Sequence, residues 1–219
     1  MPRSSPAAIA LLLKDESFVG RPYWPGGFSG VSLDPGYDLG QHTASAFTSD
    51  WSPYLPQAAV DALLCAIGVR GQGAGNMIPT LGSIPIPQTA AMRVFTADSL
   101  PQYEQELIDC MPGADQLPAD VFGALTDLCY NRGPAMADSP SDPNHARRFE
   151  MRQIRSCVAN FAATSLNGVR AGALRAMVNQ LHTMGDRLWP NDEEGLKTRR
   201  YAEAALIEAV AVALDPTTP

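Results

Sequence analysis

Apolar residues recur at helical spacing through most of this chain, and one N-terminal stretch breaks the rhythm. Ser5-Pro6 offers a hydroxyl cap followed by proline at the first helical position, and residues 7–14 then place Ile9, Leu12 and Leu13 on one face. This helix should stop near Asp15-Glu16, leaving Glu16 at or just past its C-terminus. Residues 17–48 lose the helical period and are rich in Gly, Pro, Tyr, Phe and Ser, which predicts short strands and turns. Val31-Ser32-Leu33 is the clearest strand fragment there.

From Ser52 the helical period returns. Residues 57–67 carry Ala59, Val60, Leu63, Leu64 and Ile67, with Gly68 as a stop. Residues 71–76 read as a flexible loop; no Lys-Ser/Thr pair follows to make a phosphate cradle of it. Further helices are predicted over 88–95, from Ser99-Leu100-Pro101 to about 111, and over 118–132. The last is so uniformly apolar that it should be a buried central helix. An exposed loop over 134–144 precedes helices near 146–161, 169–184 and 196–214. The expected fold is α+β and mostly helical, a single domain over 1–219 with a β-ribbon at 17–48 and a helical body at 52–214.

Composition narrows the function classes. The 219 residues are 45% hydrophobic and 18% charged, as in an ordinary globular protein. A formal charge of −7 with no Lys/Arg run argues against a nucleic-acid groove, and against simple attraction to anionic envelopes. No apolar run approaches the roughly twenty residues of a membrane span. The N-terminus lacks the long apolar core and small-residue cleavage site of a signal peptide, so synthesis in the cytoplasm is expected. The four cysteines (65, 110, 129, 157) fall singly in apolar segments, without a CxxC, and the three histidines are far apart. Buried free thiols are therefore expected and no metal site is. A disulfide would require an oxidising location, and spacing does not choose the pair.

The chemistry concentrates in residues 26–40, where five glycines and one proline in fifteen residues make a turn-rich ribbon. Its reactive side chains are Ser32, Asp34 and Asp38. A carboxylate at a helix end, followed by a hairpin carrying a hydroxyl and a second carboxylate, matches the two-carboxylate requirement of glycoside hydrolysis. Glu16 suits the proton donor, because a helix C-terminus and the nearby Phe18, Tyr23 and Trp24 would both favour its neutral form. Asp38 suits the opposing base, with Asp34 competing, and Ser32 could hold the attacking water. Each has a plainer reading: a solvated helix-end carboxylate, a turn aspartate bonding its own backbone, an ordinary strand hydroxyl. Trp24, Trp51 and Trp189 suit either sugar stacking or core anchoring.

Residues 29–40, Ser-Gly-Val-Ser-Leu-Asp-Pro-Gly-Tyr-Asp-Leu-Gly, resemble the active-site hairpin of phage-type lysozymes, especially the branch shared with pesticin. That branch usually reads Ser-Gly-Val-Thr-Ile-Gly-Tyr-Gly-Tyr-Asp-Leu-Gly. Residues 118–133 resemble the family's central helix, which ends in an aromatic-Asn-x-Gly. Residues 195–203, Gly-Leu-Lys-Thr-Arg-Arg-Tyr-Ala-Glu, resemble its Gly-Leu-x-x-Arg-Arg-x-Ala-Glu signature. The three motifs keep their order across roughly residues 10–208.

The resemblance implies a lysozyme-like fold and a muramidase that cleaves the β-1,4 bond between N-acetylmuramic acid and N-acetylglucosamine. Glu16 would be the general acid, Asp38 the second carboxylate, and Ser32 would stand where threonine is usual. Tyr37, Asn131 and Arg132 would line the substrate cleft, although Asn131-Arg132-Gly133 is equally a helix C-cap. No metal or organic cofactor is implied. Bacterial peptidoglycan would be the partner, reached through a holin or secretion system, by a protein expected to be monomeric. Two departures stand out. Serine at position 32 lacks the methyl that restricts its rotamer, and Asp34-Pro35 replaces a flexible Gly-containing turn. They motivate a second expectation, a wall-binding module that has lost hydrolysis; a lytic transglycosylase is a third. Arg199 and Glu203, four residues apart, are expected to form a structural ion pair.

Overall fold

The computed structural model describes residues 3–14, 18–33, 35–139, 146–192 and 195–215. It is mostly helical, with one two-stranded antiparallel sheet, Ser32–Leu33 against Tyr37–Asp38. The chain forms two compact units: Leu13–Gln102, and Met1–Leu12 together with Tyr103–Pro219. Each has its own apolar core. Among the described residues no helix is long and apolar enough to cross a membrane.

In the unit Leu13–Gln102, the strands and the helices Ala44–Trp51, Gln57–Leu63 and Gln88–Val94 enclose Val31, Leu33, Leu39, Phe47, Trp51, Val60 and Leu63, all 0% exposed. The expected ribbon is shorter than 17–48, because the helix Ala44–Trp51 begins inside that span. Thr43 starts it, its side-chain oxygen accepting from the Ala46 N–H at 3.2 Å. The segment 71–76 is not an open loop either: Gln72–Gly75 makes a helical turn, and a Cβ at Gly75 would sit 2.6 Å from the Trp24 ring. Glycine there lets the indole lie against the backbone.

A third difference concerns residues 88–111, where two helices were expected. The chain runs from Gln88–Val94 through a wide π turn, Phe95–Ser99, into Leu100–Cys110. Leu100 N–H donates to Phe95 O, five residues back. Pro101 has no N–H and would crowd a regular α-turn before it, so the wider turn accommodates the proline without ending the helix.

The other unit is built on the central helix Ala119–Arg132, in which Val121 through Cys129 are all buried. The helices Phe149–Ala162, Asn167–Leu188 and Leu196–Leu214 complete its core. The N-terminal segment is tied to this unit. Ser5 Oγ caps the first helix by accepting from Ala8 N–H at 3.1 Å, and Ser4 Oγ and N–H both donate to Glu104 Oε1 at 2.8 Å. A Cβ at Gly123 would collide with the Ala8 Cβ and approach Ser4 Cβ to 3.0 Å, so glycine permits the first helix to touch the central one.

All four cysteines are free, and burial differs sharply among them. Cys65 is exposed; Cys129 is buried with its sulfur 3.8 Å from that of Cys110. That contact pulls the Cys110 thiol below its ordinary range, while the same contact and burial push Cys129 well up. Exposure sets the order: iodoacetamide should alkylate Cys65 early and Cys129 only on unfolding. Peptide mapping over time tests this, and early modification of Cys129 would contradict the packing.

Candidate functional site

The glycine-rich ribbon folds as a tight hairpin in which Ser32 pairs with Asp38 and Leu33 with Tyr37. Tyr23 adds a bridge on the other edge, exchanging backbone hydrogen bonds with Ser32 at 2.8 and 3.1 Å. Asp38 anchors the turn. Its Oδ1 accepts from the N–H groups of Gly30 (3.0 Å) and Gly40 (2.8 Å), and its Oδ2 accepts from Gln41 Nε2 at 3.0 Å. Gly30 and Gly40 lie against each other: a Cβ on Gly30 would come within 2.7 Å of Gly40 Cα. Arg70 Nε donates to Gly40 O at 2.8 Å and holds the far side.

The turn-aspartate reading of Asp38 is thus realised, and it does not remove the carboxylate from chemistry. Each carboxylate oxygen has two lone pairs, and Oδ2 spends one on a side-chain amide. Ser32 is 5% exposed and Tyr37 2%. Tyr37 does not present its ring to a ligand. It stacks on His42 at 3.8 Å, meets Trp51 edge-on at 5.5 Å, and donates its hydroxyl to Asp50 Oδ2 at 2.6 Å. Burial and the adjacent Asp50 carboxylate push the phenol far above its ordinary range. Burial likewise holds the His42 imidazole below its usual value, against the pull of Asp50 and Asp38. Asp50 was invisible to sequence reasoning because its helix, Ala44–Trp51, begins inside the expected ribbon and was not foreseen. The Thr43 cap was the signal that would have exposed it. Trp51 is fully buried, and Trp24 packs on Gly75 and donates Nε1–H to Ser29 O at 3.1 Å, so both anchor structure.

Glu16 and Asp34 lie outside the described residues. Ser32, Tyr37 and Asp38 belong to one unit, and Asn131 and Arg132 to the other. At the end of the central helix, Gly133 (φ +75°) provides the cap, its N–H donating to Cys129 O at 2.7 Å. Asn131 and Arg132 nevertheless line a pocket of about 600 Å³ with Trp189. Cap and pocket wall are the same residues.

The two arginines and the glutamate of the Arg-Arg-x-Ala-Glu segment are buried, but their pairing differs from expectation. Glu203 accepts from Arg200 Nη2 at 2.6 Å, one position nearer than Arg199. Arg199 turns instead to Asp127 of the central helix, with Nη2 2.5 Å from Oδ1. On a helix both the third and fourth neighbours share a face, so spacing alone could not decide between the two arginines.

No family model matches the chain, and no curated protein matches it.

Proposed function

We propose that the protein is a peptidoglycan hydrolase, an N-acetylmuramidase of lysozyme-like fold. The observation that carries this reading is the direct cross-strand pairing of Ser32 with Asp38 in a glycine-laced hairpin, with the carboxylate pinned by two backbone amides. A preorganised carboxylate beside a hydroxyl is what an inverting glycosidase needs to hold and deprotonate water. In this reading Glu16 protonates the leaving glycosidic oxygen. Asp38 and Ser32 direct water to the opposite face of the sugar, and the anomeric centre inverts. The ordered resemblance of three segments to the phage-type and pesticin branch supports the same assignment.

The test is clearing of purified cell walls. Wild type is expected to clear them and release reducing ends, and Glu16→Gln to slow this by about 10²–10⁴-fold. Unchanged clearing by Glu16→Gln with an intact circular dichroism spectrum would reject Glu16 as the acid.

A second reading, a wall-binding module without hydrolysis, is favoured by one observation. The hairpin's polar side chains are spent inward, Ser32 and Tyr37 being buried and both Asp38 oxygens accepting protein hydrogen bonds. Co-sedimentation with peptidoglycan without new reducing ends would select it. Anhydro-sugar products would indicate a lytic transglycosylase instead.

A further inference from the structure

We propose that Cys110 and Cys129 are a reactive dithiol that closes to an intramolecular disulfide when the protein meets a disulfide oxidant. Their sulfurs lie 3.8 Å apart, one at the last residue of the helix Leu100–Cys110 and one on the buried central helix. A disulfide bond is about 2 Å long, so closure asks the sulfurs to approach by about 2 Å. Cys110 can supply that movement because its helix ends there and the chain turns at Gly113 (φ +94°). Chain spacing left the pairing open; the fold chooses it. Both residues belong to the unit built on the central helix, whereas the hydrolase reading stands on the Ser32–Asp38 hairpin of the other.

The two thiols are placed for different roles. Cys110 is half-buried, and Cys129 is 1% exposed. The contact between them pulls the Cys110 thiol below its ordinary range, with burial and Glu106 opposing and Arg155 of the helix Phe149–Ala162 helping. The same contact pushes Cys129 well above its own, reinforced by burial and by the negative forms of Cys110, Glu106 and Glu203. Cys129 S–H therefore donates to Cys110 Sγ, and the Cys110 thiolate is the first of the two to form. A solvent-borne oxidant meets the sulfur that ionises, while the buried one is shielded from it. The Cys157 thiol, by contrast, is pushed up by burial.

The chemistry is thiol–disulfide exchange. The Cys110 thiolate attacks one sulfur of a low-molecular-weight disulfide such as oxidised glutathione, forming a mixed disulfide and expelling a thiolate. That thiolate takes the Cys129 proton, directly or through water. Capping Cys110 removes the charge that kept Cys129 protonated, and the Cys129 thiolate then attacks Cys110 Sγ. The bond from Cys110 to glutathione breaks and the second glutathione leaves as thiolate. Two protein thiols give up two electrons, and one small disulfide is reduced to two thiols. The product ties the end of Leu100–Cys110 to the central helix, at the residue whose carbonyl accepts from the capping Gly133 N–H.

The test incubates the folded full chain, carrying Cys65→Ser, with oxidised glutathione, blocks the remaining thiols with N-ethylmaleimide and maps the products by mass spectrometry. Cleavage before Asp115 and Asp120 separates Cys110 from Cys129. A linked Cys110–Cys129 peptide, lighter by two hydrogens than its reduced parts, is the expected result. Adding Cys129→Ala removes the resolving thiol, so glutathione should accumulate on Cys110 by about tenfold or more over its level in the parent chain. If Cys129→Ala fails to fold, Cys110→Ser serves: Cys129 should then stay a free thiol, and glutathione on it would overturn the proposal. So would an unmodified Cys110, a link from Cys110 to Cys157, or glutathione held on Cys110 equally with and without Cys129.

Discussion

Asp127→Asn is expected to lower the unfolding free energy by about 3–5 kcal/mol, and the melting temperature by roughly 6–20 °C. Asp127 is 0% exposed in the middle of the central helix, and Arg199, 5% exposed, reaches it with Nε 3.2 Å from both oxygens and Nη2 2.5 Å from one. Asparagine preserves the volume, removes the charge and turns one acceptor oxygen into an NH2 donor facing the guanidinium, so the loss reports a buried arginine that has lost both counter-ion and acceptor. Glu203 is committed to Arg200, and burial already pushes that carboxyl well above the ordinary range. Replacing both partners with apolar residues, Asp127→Leu with Arg199→Met, should cost less than Asp127→Asn alone, because no charge is then stranded. Hydrogen exchange should show protection falling at residues 121–129 and persisting at 31–39, in the other unit. A single-variant loss below about 1 kcal/mol would mean that water reaches the pair.

That ion pair also marks where sequence reading stops. The central helix was legible because 118–132 is apolar on every side, and its start after Pro118 and stop at Gly133 fall where proline and glycine put them. Within it Asp127 is an acid set among buried apolar residues, and nothing in spacing connects it to a position 72 residues away. The final helix was equally plain from its periodicity, Leu196–Leu214, yet its arginines were assigned the wrong neighbour, since third and fourth positions are equivalent without tertiary contacts. Pro101 misled in another way. Proline commonly opens a helix, and here a π turn just before it lets one helix continue.

The candidate site was half legible. Glycines at 30 and 40, the Ser32 strand and the Asp38 turn were readable because each needs a particular local backbone, which the residue type itself announces. Burial was not. Tyr37 faces inward because alternation on a two-residue strand, with Leu33 opposite, gives it the apolar face, and the sequence alone permitted either side. The pocket at Asn131 and Arg132 was legible only in part: Arg148 reaches the end of the central helix through the fold, donating to the carbonyls of Arg132 and Gly133, 16 and 15 residues away, and Arg132 donates to the Arg147 carbonyl, 15 residues on.

Gly30→Ala is expected to dismantle the hairpin. An added Cβ would fall on Asp38 Oδ1 and the Gly40 nitrogen, and 2.7 Å from Gly40 Cα. Backbone cannot retreat as a flexible side-chain tip can, and Asp38 is fixed by the very amides being displaced. Overpacking contributes roughly 1–3 kcal/mol and the lost hydrogen bond to a carboxylate about 1.5–3 more, so a local loss of about 2.5–6 kcal/mol follows. The amides of Ser32 and Leu39, which bond Tyr23 O (2.8 Å) and Val31 O (2.9 Å), should lose exchange protection by two orders of magnitude or more. Gly172→Ala is the counterpart control, on an exposed helical position with open space around it, and should leave stability unchanged or raise it by up to about 1 kcal/mol. The hydrolase reading uses this hairpin, so Gly30→Ala should abolish clearing while the helices of the other unit stay protected. Retained protection at residues 32 and 39 would show that the two glycine backbones can part without consequence. The hairpin would then not be what holds Asp38 opposite Ser32.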